Sequence, residues 1–161
     1  MFTRTGVSFL AIASAFALTI GAASSIHAQT QNPMVGNWTF NAAKSTTTGQ
    51  KPKKRDLAIT QRGADVTVNV DEVGADGTAL TWHFTTKGDG KPVPVTGWAL
   101  LDTATSTLSG RTGKTVYSKD GKTVMESNTE VSADGKVLTI KGTRPGPDGK
   151  PMAYSSQYDR K

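Results

Sequence analysis

The sequence predicts an all-β fold: about ten antiparallel strands in meander order, closed into an up-and-down barrel, with a β-sandwich as the alternative. Three observations predict it. Asp-Gly pairs begin at Asp76, Asp89, Asp120, Asp134 and Asp148, and four of them run on into lysine (Lys91, Lys122, Lys136 and Lys150). Such a pair between alternating segments marks a hairpin, because a two-residue type I′ turn needs positive φ at both central residues. Apolar and polar residues alternate with period two, as in Val66, Val68 and Val70 or Leu80, Trp82 and Phe84. That pattern turns one face of each strand to a core and the other to water. Finally, no helical periodicity of useful length follows Ala28, so the crossover helices of a parallel sheet are missing. So many strands in one sheet must curl or close, and closure removes exposed edges.

The first element is an address rather than part of the fold. Arg4 precedes an apolar run from Val7 to Ile20, and Gly21 to Ala28 is small and polar. This is the pattern of a secretory signal peptide, cleaved after Ala28 or, alternatively, after Ala23. The apolar run of about 14 residues falls short of the roughly 18–20 that a membrane-spanning helix needs. The protein is therefore expected to be exported, periplasmic or extracellular, with Gln29–Lys161 as a single domain and no transmembrane segment.

The strands are expected at Val35–Asn41, Arg55–Gln61, Asp65–Val73, Ala79–Thr86, Pro92–Thr96, Trp98–Leu101, Thr105–Ser109, Thr115–Ser118, Thr123–Val131, Val137–Thr143 and Met152–Tyr158, one of these being false or merged with a neighbour. Leu57 and Ile59 mark the second, and Leu138 and Ile140 the tenth. Ala42–Lys54 lacks apolar periodicity and reads as a loop with at most one helical turn. Arg144–Pro151 reads as a stiff connection, because its prolines cannot supply ladder donors.

Composition removes much chemistry. The 161 residues include no cysteine and two histidines. Disulfides, thiolate nucleophiles, iron–sulfur clusters and cysteine-based zinc sites are excluded. The net charge is +6, and Arg4 is the only charged side chain before Gln29, so cleavage leaves +5. His83 is then the only histidine; its parity, opposite to Trp82 and Phe84, turns it toward solvent. No Gly-x-Ser-x-Gly nucleophile turn is present, and the Asp-Gly turns lack the alternate acids of a calcium loop. No metal or cofactor is expected.

The chain opens on Val35-Gly-Asn-Trp-Thr-Phe40 and closes on a strand ending Tyr158-Asp-Arg-Lys161. This resembles the lipocalin and fatty-acid-binding-protein superfamily, whose first strand carries Gly-x-Trp; Gly36 and Trp38 match. The resemblance implies a barrel whose floor is closed by Trp38 under a basic residue of the last strand, here Arg160. The chain is more closely similar to a group of small exported bacterial barrels. They share Asn41-Ala-Ala-Lys44-Ser45, Pro94–Gly97, repeated Asp-Gly-Lys turns and a terminal Tyr strand. That likeness spans nearly the whole mature chain and implies a fold, not an activity. Two features depart from fatty-acid carriers: Ser156 stands where their last-strand Arg-x-Tyr clamp has arginine, and no helical lid separates the first two strands.

The ligand-binding candidates are Trp82, Phe84, Met125, Ser127, Tyr154 and Tyr158. Met125, Ser127, Thr129 and Val131 share one face, and Tyr154, Ser156, Tyr158 and Arg160 another; a lining so small and polar would leave a wide barrel partly empty. Plain core packing is the competing account of Trp38, Phe40 and Trp82. Lys51–Arg55 is the densest charge. It reads as a solvated loop, or as a weak contact with anionic envelope lipid or polysaccharide; no nucleic-acid partner is expected. The leading function is binding of a small apolar or amphipathic ligand inside the barrel. The rivals are a surface-acting protein-interaction or envelope-stress module with a filled core, and a cofactor-free enzyme using the cavity. Interior volume discriminates between them.

Overall fold

Ten strands succeed one another: β1 (Gly36–Thr47), β2 (Lys54–Arg62), β3 (Asp65–Val73), β4 (Ala79–Thr86), β5 (Asp89–Pro94), β6 (Thr103–Ser109), β7 (Thr112–Lys119), β8 (Lys122–Val131), β9 (Val137–Pro145) and β10 (Pro151–Arg160). The structure, a computed structural model, describes residues 32–146 and 150–161. The expected signal peptide and the Asp148-Gly149 turn lie outside the described residues. Among the described residues there is no helix, and hence none long and apolar enough to cross a membrane.

All ten strands form one antiparallel sheet in the order β4-β3-β2-β1-β10-β9-β8-β7-β6-β5. The last strand returns to the first, pairing Trp38 with Arg160 and Phe40 with Tyr158. One continuous sheet rules out the sandwich. It curls until its edges, β4 and β5, come side by side in a nearly closed barrel. There is no ladder between those two strands. The seam is held instead by a single bridge, in which His83 and Thr96 exchange two backbone hydrogen bonds of 2.9 Å. Gly97 makes the close approach feasible: its φ is +94°, and a Cβ there would collide with the Thr81 carbonyl oxygen and lie 2.9 Å from Trp82 Cα.

Three expectations need correction. Ala42–Lys54 is not all loop, because β1 runs on to Thr47. Its register against β10 slips between Asn41 and Thr46, and that bulge hid the alternation. The bulge is held by the buried Ser45, whose Oγ donates to the Asn41 carbonyl (2.7 Å) and accepts from the Gln157 N–H (2.9 Å). Trp98–Leu101 is a turn, not a strand; its apolar residues come from Trp98 and Leu101 packing inward while Leu100 stays exposed. The Asp-Gly pairs are not uniformly type I′. Among the described pairs, only Asp120-Gly121 has positive φ at both residues, 49° and 72°. Asp76 and Asp134 instead accept the N–H two residues on, from Thr78 (2.9 Å) and Lys136 (3.1 Å), which is Asx-turn chemistry. Asp89-Gly90 lies at the start of β5, where pairing with β6 shifts.

The alternation points Leu57, Ile59, Val66, Val70, Trp82 and Phe84 into the barrel, all buried. One end is a floor. Trp38 is fully buried, and its Nε1 donates to the Met34 carbonyl (2.9 Å). The Arg160 guanidinium lies 4.1 Å from the Trp38 ring centroid and donates to the carbonyls of Gly135, Val35 and Pro33 at 2.5, 2.7 and 2.7 Å. It thus ties the entering chain and the β8–β9 turn to the last strand. Gly36 has φ +149°, a backbone conformation that favours glycine, and a Cβ there would also displace Arg160 Nη1. The opposite end carries the β1–β2, β3–β4, β5–β6, β7–β8 and β9–β10 connections and forms the mouth.

Candidate functional site

Between floor and mouth the barrel keeps a cavity of about 120 Å³. Trp82, Phe84, Met125, Ser127, Tyr154 and Tyr158 all line it. Gly36, Trp38 and Arg160 lie outside its wall, in the floor. A wider depression of about 420 Å³ crosses the outer surface of β6–β9, but its lining is largely threonine, lysine and glutamate and it is not enclosed. No group of three or more metal-ligating side chains occurs among the described residues.

The cavity has an aromatic wall and a polar belt. In the wall, Trp82 stacks on Phe84 (6.2 Å between centroids, 16°), tilts against Trp98 (5.3 Å) and meets Tyr117 edge-on (5.9 Å). Phe40 faces Tyr158 across the β1–β10 pair (5.7 Å, 64°). Such pairs contribute about 0.5–1.5 kcal/mol each beyond area burial and hold the wall rigid.

The belt runs around the mouth half. Arg55 on β2 pairs in register with Glu72 on β3; Nη2 and Nε lie 2.5 and 2.8 Å from Glu72 Oε2, with the two side chains only 16% and 13% exposed. Burial opposes the charge on Arg55, but Tyr158 and Glu72 outweigh it, and the guanidinium is held more basic than usual. Next round the belt, the Ser127 hydroxyl faces the phenols of both Tyr117 and Tyr154 and lowers their pKa against the effect of burial. Burial pushes Tyr154 up to about 12, with Tyr158 adding to the effect and Arg55 and Arg144 opposing it. Burial likewise raises Tyr117, by more. Both phenols therefore stay protonated at neutral pH and act as hydrogen-bond partners, not bases. Glu72, the belt's carboxylate among the described residues, is occupied by Arg55.

Two donors in this cavity wall lack partners. Trp82 Nε1 and Arg144 Nε are shut off from solvent with no acceptor among the described residues. Each such group costs about 1–3 kcal/mol of unmet desolvation. Arg144 spends one other nitrogen on the Gln50 carbonyl at 3.5 Å, and no ion pair with a carboxylate holds it among the described residues. Lys51, also at the mouth, donates to the Ala42 carbonyl (2.7 Å).

Sequence reasoning placed Arg55 in an exposed basic run. The structure divides that run: Lys51, Lys53 and Lys54 are exposed, and Arg55 turns inward. It also passed over Arg144, Glu72 and Tyr117. The signal was there in parity, since Arg55 shares a face with Leu57 and Ile59, Glu72 with Val68 and Val70, and Arg144 with Leu138 and Ile140.

No family model and no curated protein matches the chain. Among solved structures, the zebrafish ileal bile acid-binding protein complexed with cholic acid is similar at 16% identity, covering 80% of this chain and 98% of that one with a TM-score of 0.44. The siderocalin Ex-FABP, a protein of dual ligand specificities, is similar at 16% identity over 80% of this chain and 74% of its own, with a TM-score of 0.37.

Proposed function

We propose that this protein binds a small apolar or amphipathic molecule inside the barrel. The observation that carries the reading is the interior cavity of about 120 Å³, bounded by an aromatic wall and a few polar groups, the composition typical of small-molecule sites. A filled core, as a purely surface-acting module would have, leaves no such space. The phenols of Tyr117 and Tyr154 are held protonated and Glu72 is paired with Arg55, so none of these groups is poised as a general base.

The test is native mass spectrometry of the protein purified gently from its own host. Retained small-molecule mass is the expected result. Its repeated absence, with no thermal shift across a panel of lipids and aromatic compounds, would overturn the reading. Export with cleavage near Ala28 belongs to the same proposal. It rests on the charged, apolar and small-residue pattern of residues 1–28, and the intact mass of the same preparation tests it.

A further inference from the structure

We infer that Trp98 is the stopper of the cavity: carried on the turn between β5 and β6, it closes the mouth over the bound molecule and limits the size of what can enter. This rests on the small-ligand reading above and names the residue that controls access and size.

Position comes first. Trp98 lies on one of the connections at the mouth, just beyond the end of β5 at Pro94. Its side chain lines the cavity, yet the residue is only half-buried. The ring therefore stands between the cavity and solvent. Its neighbours divide the same way: Leu101 is buried and Leu100 is 62% exposed.

The turn is pinned at both ends and loose between them. At one end Thr96 exchanges its two hydrogen bonds with His83. At the other, Asp102 donates its N–H to the Ser118 carbonyl (2.8 Å) and accepts from the Val95 N–H (2.9 Å). Its carboxylate accepts from Lys119 Nζ and from the Asp120 N–H, both at 2.7 Å. Between these pins, Leu101 N–H donates to the Trp98 carbonyl (3.1 Å), a bond internal to the turn. Gly97, with φ +94°, supplies a hinge free of Cβ restraint. Trp98 itself is held by packing: its ring tilts against Trp82 at 5.3 Å, and it makes no side-chain hydrogen bond among the described residues. Such a segment turns outward on its ends without leaving a buried polar group unpaired.

The β1–β2 connection also covers the mouth, through Lys51 and Pro52, but it is tied down. Lys51 Nζ donates to the Ala42 carbonyl (2.7 Å), Lys53 N–H to the Val73 carbonyl (2.9 Å), and the Gln50 carbonyl accepts from Arg144 Nη2 (3.5 Å). Moving that connection breaks hydrogen bonds to β1, β3 and β9. Moving Trp98 breaks ring packing alone, so the mouth opens at Trp98. Size follows from the same residue. A cavity of about 150 Å³ lined by apolar side chains accepts benzene, so about 120 Å³ suits one ring. A chain attached to that ring meets the indole of Trp98 at the mouth.

The experiment follows two probes on the full chain by fluorine NMR: fluorobenzene, a single ring, and 4-hexylfluorobenzene, the same ring with a chain. The wild-type protein is expected to bind fluorobenzene and to bind the hexyl probe about tenfold more weakly. Trp98→Ala should release fluorobenzene about tenfold faster, because the ring contact that keeps the mouth shut is gone. It should also bind the hexyl probe at least as tightly as fluorobenzene. Trp98→Leu keeps an apolar side chain on the turn and should fall between the two; it carries the test if the alanine variant does not fold. Protected His83 and Thr96 amides show that a variant keeps its seam. Pro52→Ala should change neither probe. Equal binding of both probes by the wild-type protein would overturn the stopper and leave the binding barrel standing. So would unchanged release and preference in the Trp98 variants, or a change that appears in Pro52→Ala instead. Failure of every form to bind fluorobenzene would overturn both.

Discussion

Replacing Arg160 by methionine tests what closes the barrel floor. The substitution keeps most of the stem that covers Trp38 and removes the guanidinium. Three hydrogen bonds to the carbonyls of Gly135, Val35 and Pro33 disappear with it. Those carbonyls lie at an exposed end where water replaces the lost donor, so each bond is worth the low end of the usual range, about 0.5 kcal/mol. The cation over the Trp38 ring at 4.1 Å adds about 0.5–1 kcal/mol at an exposed site. The expected loss is therefore about 2 kcal/mol, which lowers the urea midpoint by about 1 M for a slope of about 2 kcal/mol/M. Arg160→Lys keeps the charge over the ring but cannot fork to three carbonyls, and should lose about half as much. Urea unfolding followed by tryptophan fluorescence measures both. A midpoint shift below about 0.3 M for Arg160→Met, or identical shifts for the two variants, would refute the view that the guanidinium fork clamps the floor.

Three further outcomes are expected. Ser45→Ala leaves the Gln157 N–H without its acceptor inside the β1 bulge, and should cost about 1–3 kcal/mol with faster hydrogen exchange at Gln157; unchanged exchange would show that the bulge holds without the hydroxyl. Gly97→Ala must accommodate a side chain at φ +94° against β4, at a cost of about 1–3 kcal/mol. The His83 and Thr96 amides should then exchange much faster, and their continued protection would mean that the seam does not depend on this contact. The buried phenols set the alkaline limit. Tyr154 is raised from 10.0 to about 12, and Tyr117 is raised further. Above about pH 10 the unfolded chain therefore releases tyrosine protons that the folded chain retains, and stability falls as pH rises toward 12. Melting temperatures taken across that interval, with tyrosinate absorbance, check the sign; a flat profile would contradict the burial of these groups.

Much of the cavity wall could be read before any pairing was known. Period-two alternation assigns Trp82, Phe84, Met125, Ser127, Tyr154 and Tyr158 to inward faces whatever the register, because the side-chain period of a strand is two. Parity failed where the strand itself was misread. The β1 bulge breaks the alternation between Asn41 and Thr46, so Ala42–Thr47 looked like loop. Arg55 follows three lysines and a proline, and charge density outweighed its parity with Leu57 and Ile59. Trp98 and Leu101 are apolar enough for a strand, yet they pack from a turn. Composition cannot distinguish an inward-facing turn residue from an inward-facing strand residue.

By itself the sequence determined the all-β class, the meander of short strands, the absence of cysteine chemistry, and the faces on which the aromatic residues lie. These are local properties, written in the spacing of turns and in alternation along each segment. Only the tertiary structure decided that β10 pairs with β1 and that the β4–β5 seam is held by one bridge. It alone brought Arg55 opposite Glu72, and it alone left Arg144 and Trp82 each with a donor that no described residue accepts. Those facts depend on register between strands far apart in the chain and on how completely ten strands fill the space they enclose. Nothing local to any one strand encodes either.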